Sequence, residues 1–186
     1  MSTTEVLAPI SPVEIPGEIP GGTWNADPNH SQIGFTVRHM KISTIRATFG
    51  EASATLTGGT TPTLEGTIAI ASVTTGDENR DGHLLSPDFF DATQYPEASF
   101  KATLVEPSRV VGEFTLKGVT KEIELAATFT GPDTDPWGHD RIGLELEGEV
   151  NRHDYGVSWN TALPTGGFLL EDEVKLFASF SFVKAA

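Results

Sequence analysis

Catalysis needs side chains that can attack, coordinate or move a proton, and this chain offers few in useful spacing. Its five histidines are His30, His39, His83, His139 and His153, and it contains no cysteine. No two of these histidines have the spacing of a zinc-binding helix such as HExxH, and no thiolate is available, so no metal site is expected. No serine lies in a GxSxG elbow, and the 19 glycines form neither a phosphate loop nor a dinucleotide fingerprint. Two polar clusters remain, Arg80-Asp81 with His83, and Asn151-Arg152-His153-Asp154. Arginine and aspartate this close in sequence more often pair with each other or cap loops than perform chemistry. The other use open to both clusters is a polar rim that meets a ligand's head group. No residue pair argues for acid–base catalysis, so no catalytic residue is assigned and no cofactor is implied. His39 falls on an apolar face, where a structural histidine satisfied by a partner is expected.

The first cluster sits in the stretch around which the rest is arranged, Thr74 to Phe100. Asp77 reads as a helix N-cap followed by acidic residues, which suit the positive end of a helix. Ser86-Pro87-Asp88 reads as a second start, with proline at the first helical position. Two short helical turns are therefore predicted, at about 78–85 and 87–91. They carry Leu84, Leu85, Phe89 and Phe90, which need an apolar surface to cover.

On either side the pattern is alternation with period two, the signature of half-buried strands. A strand at about 30–39 turns Ile33, Phe35, Val37 and His39 to one face. A longer one running to about Thr57 has Ile45, Ala47 and Phe49 inward, then Ala52, Ala54 and Leu56. That change of parity predicts a β-bulge at Gly50. Strands at about 63–73 and 97–106 bury Leu64, Ile68 and Ile70, then Phe100, Ala102 and Leu104. Strands at about 109–117 and 120–130 follow, joined by a hairpin at Gly118-Val119. They bury Val110, Phe114 and Leu116, then Ile123, Leu125, Ala127 and Phe129. After a loop from Gly131 to Gly138, a strand at about 139–150 buries Ile142, Leu144, Leu146 and Val150. An irregular stretch containing Trp159 leads to the last strand, about 173–183, with Val174, Leu176, Ala178, Phe180 and Phe182 inward.

Eight such strands joined mostly by short turns make an antiparallel meander. Their length favours an all-β, eight-stranded up-and-down barrel over a sandwich. An 11-residue strand spans about 36 Å, and tilted by about 40° it gives a barrel roughly 28 Å tall. Such a barrel is filled by side chains or holds one small ligand.

Composition narrows the partners. One domain is expected in 186 residues, at 23–184, after a Pro-rich flexible arm at 1–22. The alternative for the arm is packing on the domain through Val13, Ile15 and Ile19. A net charge of −14 argues against nucleic acid and anionic membrane surfaces as partners. No apolar run reaches the length of a membrane span, so no stable membrane insertion is expected. The N-terminal stretch lacks the basic and apolar regions of a secretory signal, from which a cytoplasmic location is expected. A homodimer is a further expectation, through the helical segment or the Trp137 loop.

Four blocks in order resemble a known family. The first is Asp27 with His30-Ser31-Gln32-Ile33-Gly34-Phe35-Thr36-Val37-Arg38-His39, then Phe49-Gly50. The second and most specific is Thr75-Gly76-Asp77, Arg80-Asp81, His83-Leu84 and Ser86-Pro87-Asp88-Phe89-Phe90-Asp91, then Tyr95-Pro96 and Ser99-Phe100-Lys101. The third is Leu116-Lys117-Gly118-Val119-Thr120-Lys121. The fourth is Asp135-Pro136-Trp137-Gly138, then Asn151-Arg152 and Asp154-Tyr155-Gly156. From about Trp24 to Val183 the chain resembles a YceI-like protein, of the lipocalin-like, polyisoprenoid-binding family. It departs from the common pattern in having the Pro-rich arm where members often have a signal peptide, and Tyr155 where phenylalanine is common.

The resemblance implies a lipocalin-like barrel whose apolar cavity holds an isoprenoid lipid, of polyprenyl or quinone type, as carrier, store or sensor. The residues expected to contact it are Phe35, Val37, His39, Phe49, Ile68, Ile70, Arg80, His83, Leu84, Phe89, Phe100, Leu104, Phe114, Leu125, Phe129, Leu144, Leu146, Trp159 and Phe180. Two other classes stay open: an enzyme acting on such a lipid with Arg80, His83 and Asp154, and a filled barrel serving as an interaction module.

Overall fold

The computed structural model describes residues 18–186. Its strands are β1 (Gly22–Ala26), β2 (Gln32–His39), β3 (Ser43–Phe49), β4 (Ala52–Gly58), β5 (Thr63–Ala69), β6 (Val73–Thr74), β7 (Glu97–Glu106), β8 (Arg109–Leu116), β9 (Val119–Thr134), β10 (Asp140–Asn151) and β11 (Leu170–Lys184). One α-helix among the described residues, α1 (Glu78–Leu85), lies between β6 and β7. The strands occupy eight positions in a closed antiparallel barrel. β1 and β2 lie end to end along β11, β3 and β4 run end to end along them, and β5 and β6 pair with β4 and β3. The other five positions follow in chain order from β7 to β11.

The first three positions are all interrupted at one level. The bulge expected at Gly50 is a full break there. Gly50 N–H donates to Ser72 O at 3.0 Å, Glu51 N–H donates to Ser72 Oγ at 3.0 Å, and Ala69 N–H donates to Glu51 O at 2.9 Å. Ser72 belongs to a 3-10 turn at Ile70–Ser72, so one hydroxyl secures two interrupted strands. Past the break, Ala52 is exposed, while Ala54 and Leu56 are buried as expected.

Two hairpins also differ from the sequence reading. Lys117 and Gly118 have φ of 50° and 75°, so they, and not Gly118-Val119, are the central pair of a tight turn with left-handed residues at both positions. The loop expected from Gly131 is shorter, because β9 continues to Thr134 and pairs with Asp140 and Arg141.

The helical segment is built as read at its start. The Asp77 carboxylate accepts from Arg80 N–H at 2.9 Å and caps α1. The second helical turn does not form. Phe90 N–H donates to Leu84 O and Ala92 N–H to Leu85 O, each at 3.0 Å, so this stretch satisfies the open carbonyls at the end of α1. Pro87 has no N–H to offer, and Asp91, with φ of 50°, reverses the chain.

The interior divides into two apolar clusters. At one end Trp24, Leu56, Val110, Phe129, Ile142, Leu144 and Phe182 pack solidly. Ile19, only 2 % exposed, closes that end, and Gly59 N–H donates to its carbonyl at 2.9 Å. The end of the expected arm is thus part of the barrel, whereas Val13 and Ile15 lie outside the described residues. The second cluster, at the α1 end, includes Phe35, Ala47, Ile70, Val73, Phe90 and Ala98.

A charged network ties the outside of the filled end. Arg141 donates from Nη1 to Asp27 at 3.0 Å and from Nε to Asp135 at 2.9 Å. His30 lies 2.8 Å from Asp27, and His139 3.2 Å from Asp135. Hydrogen bonds from His30 and Arg141, then the Asn29 N–H, lower the Asp27 pKa from 3.8 to about 2. A carboxyl depressed in the folded state stabilises fully above its unfolded value, and that contribution is lost as pH falls through the folded value. The melting-temperature gap between the wild type and Asp27→Asn should therefore be constant near pH 5 and shrink from about pH 4 to pH 2. A gap that persists unchanged to pH 2 would rule out Asp27 as a source of acid sensitivity.

Candidate functional site

The α1 end of the barrel holds a cavity of about 520 Å³, within the usual range for small-molecule sites. Its walls are Phe35 and Val37 of β2, Phe49 of β3, Ile68 of β5, Phe100 of β7, Phe114 and Leu116 of β8, and Val174 and Leu176 of β11. Alternation aims these side chains inward. Packing decides whether they fill the space. Three inward glycines make the difference visible. A Cβ on Gly112 would lie 2.6 Å from the Phe100 ring, and one on Gly148 would clash with Leu125, so neighbours already fill those two gaps. At Gly66 the three nearest atoms are Ser53 O at 3.0 Å and Ala54 Cβ and Cα at 3.5 and 3.8 Å. That gap belongs to the cavity.

The residues assigned to ligand contact from the sequence line this cavity, with three exceptions. Leu104 is on the outside and 37 % exposed, while Val105 takes the inner position at 6 %. The cause is a bulge: Ala102 pairs with Gly112 and Leu104 with Val111, leaving Thr103 as the extra residue that inverts the faces. Phe129 and Leu144 do point inward, but into the filled cluster. The apolar bore thus stops well short of the barrel's full height. His39 is half-buried in the cavity wall.

The mouth is built from α1, a 3-10 turn at Arg152–Tyr155 and the chain that follows it. The rings of His83, Phe89 and Trp159 form a triangle with centroid separations of 4.9, 4.9 and 5.3 Å. His83 Nε2 is 2.9 Å from Asp88. Arg80 and Asp81 do not pair with each other. Both bind Thr75: Arg80 donates from Nε to its hydroxyl and from Nη2 to its carbonyl, and Asp81 accepts from its N–H and hydroxyl. These bonds hold Asp81 below the usual carboxylate range against the opposing effect of burial, with the Arg80 charge adding to them. Arg80 lines the cavity and has no carboxylate within ion-pair distance among the described residues.

The second polar cluster also separates. Asn151 caps the 3-10 turn by accepting from His153 N–H at 2.9 Å. Arg152 turns into the protein, 5 % exposed, and Asp154 stays outside, 3.7 Å from Lys121. Arg80 and His83 therefore both line the cavity, and Asp154 does not. Among the described residues, no cluster of three or more His, Asp or Glu side chains could hold a metal ion.

Sequence reasoning passed over two buried side chains at this end. Arg152 read as part of a surface cluster, and Tyr155 read only as a departure from a pattern. Charge and polarity normally mark the surface, so neither carried a burial signal.

A model of the YceI-like domain matches residues 24–182. The chain is 34 % identical over 161 residues to UPF0312 protein SAS2572 of Staphylococcus aureus, covering 84 % of this chain and 94 % of that protein. A Campylobacter jejuni YceI protein superposes with a TM-score of 0.67 at 29 % identity, over 80 % of this chain and 90 % of that one. Burkholderia cenocepacia BcnA gives 0.71 at 20 % identity, over 86 % and 99 %. A polyisoprenoid-binding domain from Saccharophagus degradans gives 0.68 at 15 % identity, over 89 % and 100 %. The last two likenesses concern the fold.

Proposed function

We propose, on the premise that this chain belongs to the YceI-like domain family, that its barrel binds an isoprenoid lipid of polyprenyl or quinone type, as carrier, store or sensor. One observation carries the reading: the barrel packs solidly at one end and keeps an apolar cavity of about 520 Å³ at the other. An apolar chain entering it gains roughly 25 cal/mol per Å² removed from water. The buried charge in the cavity wall, Arg152, already donates to three backbone carbonyls and Asp172, so a polar head group is expected at the mouth with Arg80 and His83. The Saccharophagus neighbour, a polyisoprenoid-binding domain, supports the same class of ligand. The cavity weighs against a filled barrel that serves only as an interaction surface. Asp154 pairs with Lys121 and does not line the cavity, which weighs against an enzyme that uses it with Arg80 and His83.

The test is lipid bound per protein, measured by mass spectrometry of organic extracts and by titration with a prenyl lipid. Phe89→Asp, at the mouth, should reduce occupancy about tenfold or more, because a carboxylate would be desolvated beside the tail. Thr36→Glu, on the outer face of β2 between Arg46 and Lys175 and absent from the cavity lining, should leave occupancy unchanged. A folded wild-type protein that never binds a chain lipid would end this reading.

A further inference from the structure

Single exposed apolar side chains are ordinary on a protein surface, whereas a group of them beside a cavity needs a reason. The open end of the barrel carries such a group: Ile42 is 77 % exposed, Phe168 64 % and Met40 39 %. They stand on two loop tips, the β2–β3 hairpin and the loop leading into β11. Met40 N–H donates to Leu169 O at 2.7 Å, and His39 pairs with Leu170, so the two tips are tied side by side. His39, Leu169 and Leu170 line the cavity, which places the tips at its rim.

Both tips are built for surroundings other than water. From Tyr155 to Leu170 the chain has no charged residue, although it carries 26 acidic side chains in all. Within that run Thr161, Ala162, Pro164, Gly166 and Gly167 are exposed together with Phe168. The loop bonds its backbone internally: Leu163 N–H donates to Gly167 O at 3.0 Å, and Asn160 accepts from Leu170 N–H and donates to Leu170 O. Backbone groups satisfied in this way lose little on leaving water. In the hairpin, Ile42 N–H donates to His39 O at 3.0 Å. Met40 and Lys41 form its central pair, with φ of 53° and 60°, a left-handed conformation that Asn-Gly usually fills. Arg38 braces this strained turn by donating to Lys41 O at 2.6 Å and to Thr44 Oγ1 at 3.2 Å.

We propose that these two tips are a membrane-docking surface. They rest in the interface of a zwitterionic phospholipid bilayer and hold the cavity's rim against it, so that a lipid ligand passes between bilayer and cavity without crossing water. The transfer step rests on the lipid-binding reading above, and the docking does not. Ile42, Phe168 and Met40 gain by leaving water, while Arg38 and Lys41 reach head-group phosphates on apolar stems. Glu171, Asp172 and Glu173 follow on the adjoining strand, and the net charge is −14, so a strongly anionic surface is disfavoured. A second copy of the chain on these tips would close off the cavity's rim, whereas a bilayer supplies ligand there. Three apolar side chains give reversible contact and not insertion.

The experiment floats the full chain with phosphatidylcholine vesicles and follows delivery of a prenyl alcohol from those vesicles to the protein. The wild type should float with the vesicles. Ile42→Glu combined with Phe168→Glu should weaken vesicle binding about tenfold or more and slow delivery by a similar factor, because two apolar contacts become carboxylates. Uptake of a short prenyl alcohol dispersed without vesicles should stay at the wild-type level, since neither residue lines the cavity. Trp137→Glu removes an equally exposed ring, 79 %, between β9 and β10 at the filled end, and should change neither measurement. Four results would overturn the proposal and leave the lipid-binding reading standing. They are a wild type that does not bind the vesicles, a double variant that binds and delivers as the wild type does, an equal loss in Trp137→Glu, or a dimer in light scattering that the double variant abolishes while vesicle binding persists. The last would assign the tips to a second copy. A wild type that takes up prenyl alcohol from neither source would overturn the lipid-binding reading and the transfer step with it.

Discussion

Arg152→Met should lower the free energy of unfolding by about 3–5 kcal/mol, the range for removing one partner from a buried polar network. Methionine keeps much of the stem's length and apolar contact but donates nothing. The guanidinium is 5 % exposed and makes four bonds: Nε to Glu171 O at 3.0 Å, Nη1 to Val157 O at 2.9 Å and Trp159 O at 2.8 Å, and Nη2 to Asp172 at 3.2 Å. Burial lowers its pKa and Asp172 opposes that shift, as expected for a charge withdrawn from water and only partly compensated. These bonds join the 3-10 turn, the chain after it and the start of β11. Their loss would leave three carbonyls without the donor that now satisfies them. The urea midpoint should fall accordingly, and lipid occupancy with it, since Val157 and Trp159 line the cavity. Asp172→Asn should cost much less, because that side chain is 55 % exposed. A loss below about 1 kcal/mol for Arg152→Met would show that the three carbonyls find other donors.

Gly66→Leu should remove lipid binding without unfolding the protein. Gly66 lies on the inner face of β5, paired with Ala54 and Phe100. A Cβ there approaches Ser53 O to 3.0 Å, which needs that carbonyl to give by a few tenths of an ångström, and Gly66 lines the cavity, into which the rest of the side chain is expected to extend. Occupancy should drop about tenfold or more, while the empty protein changes by no more than about 1–3 kcal/mol, the usual effect of added core volume. Gly112→Leu is the contrasting case. Its Cβ would stand 2.6 Å from both the Lys101 carbonyl oxygen and the Phe100 ring, and backbone cannot move aside as a flexible side chain can, so loss of folding is expected. If folded Gly66→Leu retains full lipid occupancy, the ligand does not occupy the space in front of β5.

Gly66 and Gly112 are alike in the sequence, each an inward glycine between apolar neighbours. The difference between a gap that Phe100 fills and a gap that stays empty depends on a side chain from another strand. The same distinction runs through the molecule. Period-two alternation is a local property, and it was enough to identify the inward faces of β2, β5 and β8, the antiparallel meander and the eight barrel positions. The N-cap at Asp77 was equally legible, because a cap and the N–H it binds lie three residues apart. Four ordered motif blocks carried the family, which in turn suggested the ligand class. The tertiary structure decided what depends on distant partners. Strand pairing across the β7–β8 bulge moved Leu104 out and Val105 in. Closure against β11 made a strand of Gly22–Ala26 and buried Trp24 and Ile19, which follow no periodic run. Packing filled one end around Phe129 and Leu144 and left the other open. The burial of Arg152 and Tyr155 was likewise set by the way the end of β10 folds over the barrel mouth. Alternation assigns a residue to a face of the sheet, but the space in front of that face is set by side chains from other strands.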